Sequence, residues 1–187
     1  MADYFQTIVD TRAGLGEADH LARHVVALLS GRGVVALKPS QEGGYDRGPN
    51  ATDIAGPEAA AIPTRHETIP PVYSHLQVLI GRMTHSDDLS EARVPRALCP
   101  SCGAALEDSE GNWQAAELAW IGGDDDSGLR CAPCGKESPV AAWSYESSFA
   151  FGNLAFRFWN WPPLSATFLD EMRRELQHPI VLVKGKL

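Results

Sequence analysis

The residues of this chain best suited to chemistry are its four cysteines, which fall in two closely spaced pairs. Cys99-Pro100-Ser101-Cys102-Gly103 and Cys131-Ala132-Pro133-Cys134-Gly135 each place a glycine directly after a C-x-x-C pair, and 28 residues separate the two pairs. A C-x-x-C spacing lets one tight turn aim two sulfurs at a single ion. The following glycine accepts positive φ and lets backbone N–H groups turn toward those sulfurs. Four thiolates saturate a tetrahedral Zn2+ and leave no position for water. The pattern therefore predicts a structural zinc site made by Cys99, Cys102, Cys131 and Cys134, with iron as the alternative metal.

On these two motifs the stretch from Cys99 to Cys134 resembles a zinc ribbon. The resemblance covers about a fifth of the chain and implies a local fold and a metal, since ribbons serve many functions. Rubredoxins share the doublets and an acidic, aromatic middle. This chain departs from their pattern, with no aromatic residue directly after Gly103 and with Leu129-Arg130 where a tryptophan is expected. A rubredoxin-like iron electron carrier is thus a secondary expectation.

Other chemistry-bearing residues are less organised. His20 and His24 stand at i, i+4 on a predicted helix with Glu17 one turn earlier, but no third ligand completes a site. His66, His75 and His85 lie in unrelated contexts. No Ser, Thr or Cys sits in a nucleophile motif, and no glycine pattern matches a phosphate-cradling loop. No catalytic residue is assigned.

The 187 residues include 24 acidic and 16 basic side chains, a formal net charge of −8. Phosphate binding depends on clustered Lys and Arg, so this balance argues against nucleic acid and anionic membranes as partners. Between the knuckles lie Glu107, Asp108, Glu110, Glu117 and the run Asp124-Asp125-Asp126, against Arg130 alone. A protein partner with a basic surface is the predicted match, at Asp124, Asp125 and Asp126. Trp113, Trp120, Trp143, Trp159 and Trp161 crowd the second half of the chain. Most of them are expected to cover the metal and dock the ribbon, while Trp159 and Trp161 are the expected aromatic contribution to a partner surface. The opening residues have neither a basic nor an apolar leader, and no apolar run reaches a membrane span, which predicts a cytoplasmic protein. That reducing setting favours thiolates on a metal over disulfides.

The elements that must position these residues follow from periodicity. Tyr4 to Thr11 reads as a strand. A helix follows, with Leu21, Val25, Leu28 and Leu29 on one face and Gly31 ending it, and then a short strand over 33–37. Residues 39–71 hold ten Gly or Pro and read as a long irregular loop. Tyr73 to Arg82 alternates like a half-buried strand. Trp113 to Ile121 and Val140 to Tyr145 are the expected ribbon strands, joined through a turn over 122–128. Over 145–160, Gly152-Asn153 predicts a hairpin turn that puts Phe149, Phe151, Leu154, Phe156 and Phe158 on one face. Ser165 caps a final helix, Pro179 ends it, and Ile180 to Val183 is a last strand.

The predicted class is α+β: a split β-α-β, ferredoxin-like sheet formed by residues 1–96 and 145–187, with a zinc ribbon inserted at 97–144. The predicted role is a non-enzymatic protein-protein interaction module, with an inhibitor or immunity-type factor as one form suggested by charge. An enzyme with a site near residues 39–75, around His66, Glu67 and His75, is the contrasting expectation.

Overall fold

A computed structural model of the chain describes residues 3–40, 43–57, 74–87, 94–107, 112–145 and 149–186. It is a mixed α/β fold whose core is an antiparallel five-stranded sheet. The strands in chain order are β1 (Tyr4–Asp10), β2 (Tyr45–Asp46), β3 (His75–Ser86), β4 (Ala97–Leu98), β5 (Gly128–Arg130), β6 (Glu137–Pro139), β7 (Ser144–Tyr145), β8 (Phe149–Trp159) and β9 (Ile180–Lys186). The helices are α1 (Leu15–Gly31), α2 (Asn112–Ile121) and α3 (Ala166–Leu176). The main sheet runs β2-β3-β8-β1-β9. None of the described helices is long and apolar enough to cross a membrane.

Strand alternation sorts the sheet into two faces. Ile8, Leu154, Phe156, Phe158 and Leu76 point to the side covered by α1 and α3, where they meet Ala22, Val25, Leu29, Phe168, Met172 and Leu176. Helix α1 begins where Glu17 reaches back to accept from the Gly14 N–H at 2.8 Å. Helix α3 begins at Ser165, whose hydroxyl accepts from the Phe168 N–H. His24 with Glu175 and Arg32 with Glu171 tie the two helices together across their outer edge. The buried carboxylate of Asp10 accepts from the N–H groups of Arg12 and Ala13 and from His178, joining the start of α1 to the end of α3.

The opposite face carries no described helix, yet Phe5, Thr7, Val9, Ala155 and Val183 are almost wholly buried. The sheet rolls over to cover them. Opposite Asn153, the β3–β8 ladder has a bulge at Gly81-Arg82, and beyond it the two strands continue as Met83–Ser86 against Phe149–Gly152. A bulge bends a strand and increases its twist. Beyond the bend, Ala150 shares a cluster with Phe5, Val9, Ala155 and Val183. The Asp87 carbonyl reaches Gly185 of β9, which two strands separate from β3 in the sheet, and there a Cβ would collide with that oxygen and with the Phe5 ring.

Several sequence expectations are corrected here. Gly152-Asn153 is no hairpin turn: residues 149–159 form one strand, which pairs with β3 on either side of the bulge and with β1 from Leu154 onward. Residues 33–37 are not a ladder strand. Val34 and Val35 are buried, but their only pairing is an isolated bridge from Val35 to Arg47. Helix α1 ends with Arg32 at its cap and Gly33 at φ +72°, two residues past Gly31. Trp113 to Ile121 is helix α2, and Val140 to Ala142 is a 3-10 turn ahead of the two-residue β7. Within 39–71, the described residues hold β2 and a 3-10 turn at Ala51–Ile54. His66 and Glu67 lie outside the described residues.

Candidate metal centre

Each cysteine pair is held by the same local device. In the first, Gly103 N–H donates to the Cys99 carbonyl at 2.9 Å and Cys99 N–H donates to the Ala104 carbonyl at 2.8 Å. In the second, Gly135 N–H donates to the Cys131 carbonyl and Cys131 N–H to the Lys136 carbonyl, both at 2.8 Å. Gly103 at φ +73° and Gly135 at φ +68° close the two turns. Nothing crowds a Cβ at Gly103, so the glycine is required there by its backbone angle and not by space. The second knuckle tops the β5–β6 hairpin, and the first follows β4, whose Leu98 bridges back to Ala105.

These turns bring the four sulfurs within 4.8 Å of one another. Cys102 and Cys131 Sγ are 3.5 Å apart, and Cys99 and Cys134 Sγ are 3.9 Å apart. A tetrahedron with Zn–S bonds of about 2.3 Å has edges of about 3.8 Å. The two separations fit that edge and are far too long for a disulfide bond. The four residues therefore suit a tetrahedral thiophilic ion.

Cys99 and Cys131 are buried, while Cys102 and Cys134 face outward. Burial works against a Cys99 thiolate, but the N–H groups of Ser101 and Cys102 outweigh it and lower its pKa to about 7. At Cys131 the Cys134 N–H favours the thiolate, yet burial and the three neighbouring sulfurs together push the thiol up to about 12. Four crowded thiols thus resist ionising together unless a cation supplies the missing charge.

A second hydrophobic core joins this centre to the sheet. Cys99 and Cys131 pack with Trp113, Trp120, Leu129, Val140 and Trp143, and the cluster continues onto Phe149 and Phe151 of β8. Trp120 meets Phe151 edge-on at 5.0 Å and Trp113 meets Phe149 at 5.5 Å. Tyr145 sits between, accepting from Trp113 Nε1 and donating to the Val140 carbonyl at 2.7 Å. Polar contacts add to the junction. Thr84 donates to Glu117, and Arg82 stacks over Trp120, donates to its carbonyl and pairs with Asp125 at 2.8 Å. No family model, curated protein or solved structure matches this chain.

The other expected site residues divide clearly. Asp124, Asp125 and Asp126 are exposed on the turn after α2. Glu117 is not part of that surface, because burial against β3 raises its pKa and Thr84 binds it. Trp161, expected at a partner surface, is 4% exposed, packs on Phe158 at 5.2 Å and lies under Arg47. Gln6 fixes that turn by donating to the Trp161 and Pro162 carbonyls and accepting from the Leu164 N–H. Trp159 is half-buried, stacked near His75 and hydrogen-bonded to Gln77. His20 and His24 join no metal group; among the described residues the four cysteines are the one cluster of three or more His, Cys, Asp or Glu near enough to share an ion. Sequence reasoning overlooked Arg82, Thr84 and Tyr145, whose roles arise only when β3 and α2 meet.

Proposed function

We propose that this chain is a zinc-stabilised cytoplasmic protein whose role is to bind another protein through its acidic, metal-bearing segment. The observation that carries this reading is the closed sulfur cluster: four thiolates leave an ion no open coordination position, so the metal would hold shape instead of activating water. The order β3-β8-β1-β9, with α1 and α3 packed on one face, supports reading the main sheet as a ferredoxin-like split β-α-β arrangement. The separate core around the cysteines supports reading 97–144 as an inserted zinc ribbon elaborated by α2.

The partner surface proposed is the turn bearing Asp124, Asp125 and Asp126, with Trp159 as a second, apolar element. Arg82 anchors Asp125, which holds the turn in place and leaves Asp124 and Asp126 facing solvent. A basic protein surface is the complementary chemistry, with neither nucleic acid nor membrane as a partner. Zinc is proposed over iron, and elemental analysis decides it at one ion per chain. A ferric tetrathiolate would betray itself by visible absorption.

The functional test is affinity capture from the native host with wild-type protein and with Asp124, Asp125 and Asp126 changed to Asn. A partner steered by these charges is captured more weakly as ionic strength rises, because the Debye length falls from about 10 Å at 0.1 M to about 3 Å at 1 M. The triple change slows association more than it speeds dissociation. Equal association rates for the two proteins would reduce the acidic turn to a solubilising face.

A further inference from the structure

The four sulfurs do not meet solvent equally. Cys99 and Cys131 are 3% and 1% exposed within the tryptophan-rich second core, whereas Cys102 and Cys134 are exposed. The Ser101 N–H also donates to Cys99 Sγ at 3.4 Å, which occupies one lone pair of that buried sulfur. Each exposed sulfur touches a buried sulfur of the other knuckle: Cys102 meets Cys131 at 3.5 Å, and Cys134 meets Cys99 at 3.9 Å. The cluster is thus two like pairs, each with one sulfur open to a small solute and one held behind it.

A cysteine is oxidised in proportion to its thiolate character and its exposure, and the product depends on whether a second thiolate stands beside it. When bound, a metal ion keeps all four sulfurs deprotonated. We propose that Cys102 and Cys134 are sites of oxidation by hydroperoxides, that Cys131 and Cys99 close the resulting disulfides, and that this oxidation releases the metal. The exposed thiolate attacks one oxygen of the peroxide, the O–O bond breaks, and the sulfur becomes a sulfenic acid as hydroxide or alkoxide leaves. The buried thiolate across the cluster then attacks the sulfenic sulfur and displaces its hydroxyl group as hydroxide. Each pair gives up two electrons to one O–O bond, and two protons from solvent turn the leaving groups into water or into water and an alcohol. A disulfide sulfur carries no charge, so the first event removes two of the four anionic ligands and the second removes the rest. Both disulfides run from one knuckle to the other, so the knuckles stay joined after the metal has gone. This chemistry rests on the metal-bearing reading of the cluster and adds to it a response to oxidant.

The test treats the full chain, loaded with Zn2+, with hydrogen peroxide. Released metal is read with a chromogenic chelator, sulfenic acid by dimedone labelling, and disulfides by peptide mass spectrometry. Zn2+ should leave in step with the loss of thiols. At low peroxide, dimedone should label Cys102 and Cys134 about tenfold more than Cys99 and Cys131. The disulfides should join Cys102 to Cys131 and Cys99 to Cys134, and dithiothreitol followed by fresh Zn2+ should restore the starting metal content. Label appearing first on Cys99 or Cys131 would overturn the proposal. So would disulfides closed within each knuckle, or Zn2+ retained in full under excess peroxide. A chain that binds no Zn2+ before peroxide is added overturns the metal-bearing reading and this proposal with it, so the metal content measured at the outset tells the two failures apart.

Discussion

Three residues illustrate how much a single backbone angle or proton decides here. Gly103 and Gly135 hold positive φ with open space around them, so alanine at either position would meet backbone strain and no clash. The strain of a left-handed residue is about 1–2 kcal/mol. Gly103→Ala and Gly135→Ala are therefore expected to lower the affinity of the four cysteines for a metal ion about tenfold, measured by chelator competition, with little change in the melting of the main sheet. His85 makes the opposite kind of prediction. Unfolded, its ring takes a proton near pH 6.5; folded, its burial holds the proton off until about pH 4. The unfolded state thus binds more protons in that window, and stability falls as pH drops through it. Melting temperatures followed from pH 7 to pH 4 should decline with a shallower slope in His85→Phe. Equal slopes would mean that His85 is charged or exposed in the folded protein.

The informative elements are α2 and the bent β3–β8 ladder. Helix α2 buries Trp113, Ala116 and Trp120 at helical spacing, and Trp120 alone fills the gap between Phe151 and the Arg82 guanidinium. Truncating a buried aromatic residue costs about 3–5 kcal/mol. Trp120→Ala is expected to detach α2 from β3, seen as lost amide protection over 112–121 while β1 and β9 stay protected. The ladder depends on close approach. Gly185 admits the Asp87 carbonyl and the Phe5 ring, so Gly185→Ala must push a backbone segment aside. Such overpacking costs about 1–3 kcal/mol, and urea denaturation should show the loss, with Phe5→Leu in the same chain recovering part of it by making room.

At the scale of the whole molecule, two hydrophobic cores share one strand. Leu154, Phe156 and Phe158 serve the helix-covered core, and Phe149 and Phe151 serve the cysteine-bearing core. The first contains no cysteine. Chelating the metal, or changing Cys131 to Ser, should therefore loosen residues 97–145 and leave α1, α3 and the central strands folded. Hydrogen exchange with and without chelator checks this. Complete and simultaneous loss of protection across both cores would show that the metal supports the entire fold.

The sequence by itself determined which four cysteines gather into a cluster that could hold a metal ion, because C-x-x-C-Gly is a local geometry whose requirements all lie within five consecutive residues. It also determined β1, α1, α3 and β9, where alternation or a 3.6-residue period coincides with a cap such as Ser165. Gly152-Asn153 was misleading for a physical reason: a turn-favouring pair also fits inside a strand where the neighbouring strand bulges opposite it and Val9 comes too close for a side chain at 152. Trp113 to Ile121 has helix-favouring Ala115, Ala116, Glu117, Leu118 and Ala119 between its tryptophans, a propensity signal that outweighs the strand preference of its aromatic ends. Only the tertiary structure decided that Trp161 is core and Trp159 is half-buried, since both flank the same strand end and differ in what packs over them. It alone buried His85, opposite Ala150 beyond the bulge in β3. It also set the Asp87 carbonyl against Gly185, 98 positions away, and what brings those two together is a bend whose curvature comes from long-range strand pairing, which no local pattern encodes.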